Sequence, residues 1–461
     1  MTPGLDEDKV FIVSRGSMQA RHDPYYYLPK FVRLEARVLA RSSARLRNYV
    51  VTMSGGSTPK KEEEDRYYAD AETGIPFVRV QNLNVDGHLS LDEVKYVNRE
   101  THEGLLKRSQ VLQHDLLVKI TGVGRMAVAS VAPVGFEGNI NQHIARIRTQ
   151  DRATSEALAA WLNTDIAEAL AKRRSTGGTR PALDYPALRS IPVILDEQIQ
   201  RELSAAYAQH KLAEAKASEL LAGIDDYLLS ELGITLPPEP ENTIANRIFM
   251  AQRKDLAGWR FDPQALHPER EGCVNALQRM KPTVLKAACR FVRDLRTEIP
   301  DGATYIGLEN IESNTGRYVS STDKESVSSA FTFRKGQVLF PKLRPYLNKA
   351  FFAPFDGLCS TEFHVLEGRA VRSDFLALFL RSQAVVKQTK HLMSGNTLPR
   401  LQTEDIEELL IPVVDPILQK KIVDEANRRL IKAESLRSRA ERELDAAKHR
   451  IEAMLLGEVA A

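Results

Sequence analysis

Basic and amide side chains gather in short polar loops in both halves of this 461-residue sequence. Arginine and lysine can neutralise phosphates, and asparagine, glutamine and arginine can hydrogen-bond to base edges, so these loops are candidate DNA contacts. In the first half the candidates are Lys60, Lys61, Lys119, Arg125, Arg173, Arg174 and Arg180 for the DNA backbone, with Gln81, Asn82, Asn141 and Gln142 as base readers. In the second half they are Lys342, Arg344, Tyr346, Asn348, Lys349, Lys387, Lys390, Asn396 and Arg400.

The segment from Pro341 to Lys349 is the strongest of these candidates, because it interleaves basic, aromatic and amide residues in a stretch constrained by two prolines. An ordinary solvated surface charge explains any single lysine or arginine in the set equally well. Asn82 and its counterpart Asn310 could instead terminate a strand or a turn.

Catalytic patterns are missing from the sequence. A DNA methyltransferase needs a glycine-rich cofactor loop and an Asn/Asp-Pro-Pro-aromatic loop, and the nearest match, Asp23 to Tyr26, lacks the second proline. The segment from Gly55 to Lys60 does not fit a phosphate-binding loop, and no histidine pair has metal-ligand spacing. We therefore predict a chain that is not an enzyme and that binds no metal or cofactor itself.

Composition limits the remaining choices. The net charge is only +3, from 64 basic and 61 acidic residues, so any basic surface must be local. Three cysteines without a C-x-x-C pair argue against disulfides and zinc. Because no run of about 18 apolar residues occurs, we expect a cytoplasmic protein with no membrane contact.

The sequence contains an internal repeat with a period of about 220 residues. Each copy has a β-like run ending near an amide, a short apolar run that suits a buried strand, a loop containing glycine, and an Ile-Pro-Val segment. The β-like run is Ile75 to Leu83 in the first copy and Tyr305 to Ile311 in the second, and the apolar run is Asp115 to Lys119 and Gln337 to Lys342. The glycine loop is Ser175 to Pro181 and Ser394 to Arg400, and the Ile-Pro-Val segment is Ile191 to Val193 and Ile411 to Val413.

Each copy closes with a long helix, from about Gln198 to Leu232 and from about Gln419 to Leu456. Apolar residues alternate at spacings of three and four in both, which predicts a coiled coil, with His210 and Arg437 as polar residues that fix its register. A proline-rich breaker, Leu236 to Pro240, separates the copies. The economical arrangement is two antiparallel helices about 50 Å long with one module at each end.

This duplicated order of a variable head, a Ser-Gly loop, Ile-Pro-Val and a long helix resembles the specificity subunit of type I restriction-modification systems. The resemblance implies an α+β fold: two mixed α/β target recognition domains separated by two long antiparallel coiled-coil helices, in a pseudo-two-fold internal repeat. The expected bounds are 1–193 and 237–413 for the recognition domains, and 194–236 and 414–461 for the helices.

The same resemblance implies a chain that recognises a bipartite, asymmetric sequence in double-stranded DNA and docks two methyltransferase subunits and the restriction subunits. S-adenosylmethionine, ATP and Mg²⁺ would then be bound by those partners. Two alternatives stay open: a targeting subunit of another phage-defence assembly, and a coiled-coil scaffold whose heads bind proteins. Phosphate contacts make DNA affinity fall steeply with salt, whereas the scaffold predicts no DNA affinity.

Overall fold

The computed structural model describes the whole chain except residues 1–5, 7, 19–20, 61–63, 242, 244–245, 247, 251–262, 301–302, 321–328, 396–398 and 459–461. Two of the DNA-contact candidates, Lys61 and Asn396, lie outside the described residues. The chain divides into two compact units, Met1–Ala213 with Ser438–Ala461 and Glu214–Arg437. Each unit includes one head and a part of both long helices.

The first unit is a mixed α/β structure with two sheets. Its helices are α1 (Pro29–Arg41), α2 (Glu64–Tyr67), α3 (Arg99–Glu103), α4 (Arg152–Leu162), α5 (Asp165–Arg174), α6 (Tyr185–Arg189) and the start of α7 (Glu197–Glu231). Its strands are β1 (Thr52–Gly55), β2 (Tyr68–Ala69), β3 (Ile75–Val78), β4 (Lys95–Val97), β5 (Gln110–Leu112), β6 (Leu116–Lys119), β7 (Ala129–Val131), β8 (Glu137–Ile140) and β9 (Ile144–Arg148). One sheet has the order β1-β9-β6-β7, and the other has the order β2-β4-β3-β8-β5.

Strand β6 lies between two apolar cores, which explains its continuous apolar run. Leu116 and Val118 pack into one core, and Leu117, on the opposite face, packs into another. Side chains of a strand alternate between faces, so a strand covered on both sides needs apolar residues throughout. The prediction of a buried strand here is confirmed.

The second unit is also mixed α/β. Its helices are α8 (Pro268–Gln278), α9 (Leu285–Ala288), α10 (Ser373–Leu380), α11 (Gln383–Thr389), α12 (Thr403–Glu407) and the start of α13 (Pro416–Leu455). Its strands are β10 (Thr283–Val284), β11 (Cys289–Val292), β12 (Leu295–Arg296), β13 (Tyr305–Ile306), β14 (Ala330–Phe333), β15 (Val338–Pro341), β16 (Phe351–Phe352), β17 (Gly357–Cys359), β18 (Phe363–Gly368) and β19 (Leu410–Ile411). The sheet orders are β11-β18-β15-β16, β12-β14-β17-β13 and β10-β19.

The two units share one four-stranded sheet topology and one parallel strand pair, which confirms the internal repeat. The antiparallel order β11-β18-β15-β16 matches β1-β9-β6-β7, and the parallel pair β13–β17 matches the parallel pair β3–β8. The strand register corrects one detail of the sequence alignment. Lys119 pairs with Ile144 as Pro341 pairs with Phe363, so Lys119 corresponds to Pro341 and not to Lys342.

The long helices begin and end within three residues of the predicted positions. In the second unit, Lys421 pairs with Glu231 at 2.7 Å and Arg437 pairs with Glu214 at 3.2 Å. The residue numbers of the partners run in opposite directions along the two helices, so these helix segments are antiparallel. Arg437 contacts the facing helix, and its role in fixing the register stays a prediction. His210 is half-buried, and its role in the register stays a prediction.

The buried face of these helix segments carries small residues, as the coiled-coil pattern predicts. Ala217, Ala426 and Ala433 are almost fully buried. The α+β class with duplicated mixed heads and antiparallel long helices is therefore confirmed, whereas the domain bounds inferred from sequence stay a prediction. Within the described residues, the structure has no helix of the length and apolarity that a membrane span requires.

Candidate nucleic-acid interface

In the first head, polar loops meet at the carboxyl ends of the parallel strands β3 and β8. The Asn141 amide donates to the Val78 carbonyl at 3.1 Å, which joins the two strand ends. The Ser57 amide donates to the Ile140 carbonyl at 3.2 Å, which brings in the loop that ends at Lys60. We call loops 56–60, 79–82 and 141–143 the first edge. Three candidates, Lys60, Gln81 and Gln142, are exposed there.

The asparagines at these strand ends have structural partners. Asn82 is buried; its Oδ1 accepts from the Arg79 amide at 2.9 Å, and its Nδ2 donates to the Asp92 carbonyl at 3.3 Å. Asn310 closes the equivalent turn in the second head, accepting from the Gly307 amide at 2.9 Å. Asn141 is also buried and accepts from the His143 amide. The turn-closing alternative therefore fits Asn82 and Asn310 better than base reading does.

The second head forms an equivalent surface. The Ser360 amide donates to the Ile306 carbonyl at 2.9 Å, so the loop after β17 meets the end of β13. Lys342 Nζ donates to the Thr361 carbonyl at 2.7 Å. Lys349 Nζ donates to the Leu308 carbonyl at 2.8 Å. We call loops 307–310, 342–346 and 360–362, together with Arg400, the second edge.

A loop containing glycine borders each edge. Thr176 and Ala182 exchange two backbone hydrogen bonds of 2.8 Å, and Ser394 and Arg400 exchange two of 2.9 Å. Gly177 and Gly395 have φ values of +92° and +91°, which residues other than glycine rarely adopt. The residue after each loop is hydrogen-bonded to the end of a strand. The Leu183 amide donates to the Ile120 carbonyl just after β6, and the Leu401 amide donates to the Lys342 carbonyl just after β15. This arrangement brings Arg180 and Arg400 to the two edges.

The segment from Pro341 to Lys349 has fewer outward-facing residues than its sequence suggests. Arg344 and Asn348 adopt left-handed backbone conformations on either side of a 3-10 turn. The Asn348 side chain is buried and donates to the Asn314 side chain and to the Arg381 carbonyl. Because Lys342 and Lys349 also bind carbonyls, Arg344 and Tyr346 are the exposed members of this segment.

Two basic candidates of the first head hold the fold together. Lys119 is buried, its Nζ donates to the Val123 carbonyl at 2.7 Å, and burial lowers the pKa of its ammonium. Arg125 contacts Asp165 at 2.5 Å and Glu168 at 3.2 Å. Burial lowers the pKa of Lys342 in the second head in the same way. These cations stabilise turns near the edges instead of facing solvent.

Four further candidate DNA contacts surround two buried glutamates, which gives these cations a structural role. In the first head, Arg173 and Arg174 contact Glu35 of α1, Arg174 at 2.6 Å. In the second head, Lys387 and Lys390 contact Glu269 of α8 at 3.0 and 3.3 Å. Burial raises the pKa of each carboxyl, but the neighbouring hydrogen-bond donors and cations lower it more, to about 2 for Glu269. The clusters anchor α5 against α1 and α11 against α8.

The register of β5 adds two residues that sequence reasoning missed. Strand β5 pairs antiparallel with β8 from Gln110 opposite Asn139, so the residues before β5 lie beside the end of β8. Lys107 and Arg108, both exposed, occupy that position at the first edge. Their adjacency just before an apolar strand was a usable signal. In the second head the missed residue is Arg293, which is exposed and whose charge lowers the pKa of Lys342.

His267, Glu269 and His391 form the group whose atoms could offer three metal ligands among the described residues. The two imidazole rings stack with centroids 3.7 Å apart and planes only 9° from parallel. Imidazole lone pairs lie in the ring plane, so two stacked rings cannot converge on one ion. Glu269 also forms ion pairs with Lys387 and Lys390. The geometry fits an ion-pair cluster, and the absence of a bound metal stays a prediction.

Comparison with known proteins gives one match to a curated sequence. The chain is 27% identical over 122 residues to the type I restriction enzyme EcoDI specificity subunit of Escherichia coli. That match covers 26% of this chain and spans about a quarter (27%) of the curated relative. No protein-family model matches the chain.

Similar solved structures cover most of the chain. A chain from a study of complex assembly and conformational transition in the type I restriction-modification system has a TM-score of 0.44 and 13% identity, covering 89% of this chain and 95% of its own. The type I restriction-modification S subunit of M. genitalium has a TM-score of 0.37 and 11% identity, covering 90% and 94%. By its match to the EcoDI subunit, this chain resembles the specificity subunits of type I restriction-modification systems.

Proposed function

We propose that this chain is the DNA sequence-recognition subunit of a type I restriction-modification complex, in which each head reads one half of a bipartite, asymmetric site. The observation that carries the proposal is the duplicated edge. In both heads the carboxyl ends of a parallel strand pair gather exposed cations next to hydrogen-bonding side chains. Protein–DNA interfaces combine these two kinds of group, because phosphate contacts position the protein and base contacts specify the sequence.

Local charge supports DNA as the ligand although the whole chain is nearly neutral. Exposed cations at the first edge and its glycine loop are Lys60, Lys107, Arg108 and Arg180. At the second edge Arg344 is exposed with Arg293 nearby, and the exposed Arg400 is paired with Glu362. The candidates Arg173, Arg174, Lys387 and Lys390 are left out, because they already bind the buried glutamates Glu35 and Glu269.

The two edges differ in chemistry, which favours two different half-sites. The first edge exposes amides, Gln81 and Gln142, which match the donor and acceptor of adenine. The second edge exposes Arg344, Tyr346 and the ion pair of Arg400 with Glu362. Identical edges would have favoured a palindrome.

The long helices are the proposed docking surface for two methyltransferase subunits and the restriction subunits. Large apolar side chains are exposed on them: Ile417 and Ile431 on α13 and Leu212 on α7. Single exposed apolar residues are common on protein surfaces, so the docking role is supported mainly by the resemblance to specificity subunits. The partners would bind S-adenosylmethionine, ATP and Mg²⁺, and this chain would be a non-catalytic, cytoplasmic subunit. Its recognition domains would be residues 1–193 and 237–413.

Expression in a methylation-free host tests this function. The chain is expressed with its neighbouring methyltransferase gene, and methylated bases are mapped across the host genome. The expected result is a bipartite, asymmetric motif that disappears when this chain is omitted. Methylation that is absent, or unchanged without the chain, would contradict the proposal. DNA affinity that falls steeply with salt would separate it from a protein-binding scaffold.

A further inference from the structure

One acidic side chain lies among the cations of the second edge. Glu362 occupies the position that His143 has in the first head, since the Lys342 amide donates to the Glu362 carbonyl as the Ile120 amide donates to the His143 carbonyl. A carboxylate repels DNA phosphates, so a carboxylate at a DNA-binding edge needs a partner that donates hydrogen bonds. Glu362 has such a partner in Arg400.

The Arg400 guanidinium binds Glu362 through one side of its fork. Arg400 Nη2 contacts Glu362 Oε1 at 2.6 Å, and Arg400 Nε contacts Glu362 Oε2 at 3.2 Å. A guanidinium has five N–H donors, so this contact leaves free the two on Nη1 and the second on Nη2. The carboxylate oxygens also keep unused lone pairs. Both side chains are reachable from solvent, with 51% of Arg400 and 29% of Glu362 exposed.

The backbone holds both residues in place. Leu343 and Arg400 form an isolated antiparallel β-bridge, and the Leu401 amide donates to the Lys342 carbonyl at 3.0 Å. Lys342 in turn donates from its amide to the Glu362 carbonyl at 2.8 Å. A pair fixed on two connected segments can present donors and acceptors in a set order, which selective base reading requires.

We propose that the Arg400–Glu362 pair reads one G·C base pair in the half-site of the second head. In the major groove a G·C pair presents the acceptors N7 and O6 on guanine, followed by the N4 donor on cytosine. The free end of the Arg400 fork donates to the guanine, and the Glu362 carboxylate accepts from the cytosine. An A·T pair presents its donor between two acceptors, so it does not match this order.

Charge balance favours base reading over phosphate binding for this pair. Arg400 and Glu362 together carry no net charge, so they add little to the sequence-independent attraction to phosphates. Neighbouring Arg344, exposed and without an acidic partner among the described residues, is better suited to the phosphate. The inference rests on the proposed function, because it assumes that the second edge faces DNA.

Glu362→Gln tests the inference, because it keeps the size of the side chain and removes its charge. The matched control is Glu367→Gln, which breaks the ion pair of Glu367 with Arg290 in the same head. Each variant is expressed with the methyltransferase in the methylation-free host, and its methylated motif is compared with that of the native chain. We expect Glu362→Gln to lose about 10- to 100-fold of its preference for G·C at one position of one half-site. The motif of Glu367→Gln should not change.

The outcomes separate the inference from the function on which it rests. A native chain that directs no bipartite motif would overturn both. A native motif that Glu362→Gln leaves unaltered at every position would overturn the base-reading role alone and make the pair a loop anchor. If Glu362→Gln yields no methylation at all, Arg400→Lys decides, since it keeps the charge and loses the fork. Relaxation at the same G·C position by Arg400→Lys supports the pair, and an unchanged motif rejects it.

Discussion

Glu35 shows how one residue can determine the role of its neighbours. Its side chain is buried and contacts Arg173, Arg174 and Arg45. Arg173 and Arg174 are almost fully buried, and Glu35 is the acidic partner of both. The cluster in the second head repeats the arrangement with Glu269 and different cations. A buried glutamate facing the end of α5 or α11 is therefore a shared structural device of both heads.

Glu35→Gln should destabilise the first unit by about 3–5 kcal/mol, because it leaves Arg173 and Arg174 buried without a counter-charge. Denaturant unfolding of the full chain, followed by a probe in the first unit, measures the change. Glu156→Gln is the matched control, since it breaks an exposed pair with Arg152 and should cost less than about 0.5 kcal/mol. Equal effects of the two variants would contradict the structural role of the cluster.

His364 predicts a pH dependence of stability. It is buried beside Phe291 and near Lys342 and Arg293, and burial lowers its pKa to about 3. An unfolded chain has a histidine pKa near 6.5. Below that pH the unfolded state binds a proton that the folded state does not. The free energy of unfolding should therefore fall as the pH drops from about 6.5 towards 3, by up to ~1.4 kcal/mol per pH unit.

His364→Phe isolates this contribution, since carboxylates such as Glu269 titrate over part of the same range. Denaturant unfolding of the native chain and the variant is measured at several pH values between 7 and 4. As the pH falls, the free energy of unfolding of the variant should rise relative to that of the native chain. A difference that is constant with pH would show that His364 titrates normally.

At the scale of elements, the glycine loops connect the sheets to the edges. Gly177 has a φ of +92°, and a Cβ there would lie 2.9 Å from the Arg180 carbonyl oxygen. The adjacent Gly178 has ordinary φ and open space around its Cβ position. One glycine of the pair is thus required by the backbone conformation and the other is not.

Gly177→Ala should cost at least about 1 kcal/mol of loop stability, and Gly178→Ala should be neutral or slightly stabilising. The hydrogen-exchange rates of residues 175–182 measure the stability of the loop. The affinity for DNA that contains the mapped motif measures the effect on Arg180. We expect faster exchange and weaker binding for Gly177→Ala. Indistinguishable alanine variants would mean that the loop conformation does not support the first edge.

At the scale of the whole molecule, the long helices are proposed to set the gap between the two half-sites. Ion pairs in the second unit match Lys421 with Glu231 and Arg437 with Glu214, so a deletion must remove paired segments to keep the register. Residues 214–220 and 431–437, both within the second unit, form such a pair of heptads.

Deleting both heptads should shorten the helices by about 10 Å, at 1.5 Å per residue. The gap in the methylated motif should then change by about three base pairs, at 3.4 Å per base pair, with both half-sites unaltered. Mapping the motif in the methylation-free host measures this. Deleting a single heptad is the control and should abolish function, because it breaks the antiparallel register. An unchanged gap after the double deletion would contradict the spacer role.

Local patterns in the sequence were sufficient for the repeat, the buried strands and the long helices. The apolar run at β6 and the three-four spacing along α7 and α13 each reflect one element burying one face or both, so neighbouring residues carry the information. Turn chemistry is equally local, so the turn-closing alternative for Asn82 follows from the sequence alone.

Only the tertiary structure decided which charges are free to bind a ligand. Arg174 meets Glu35, and Arg400 meets Glu362, across long stretches of chain. Lys107 and Arg108 reach the first edge through the register of β5 against β8. A cation that is buried or paired looks identical in sequence to one that is exposed. Its availability depends on strand pairing and helix packing between distant segments, which no local spacing encodes.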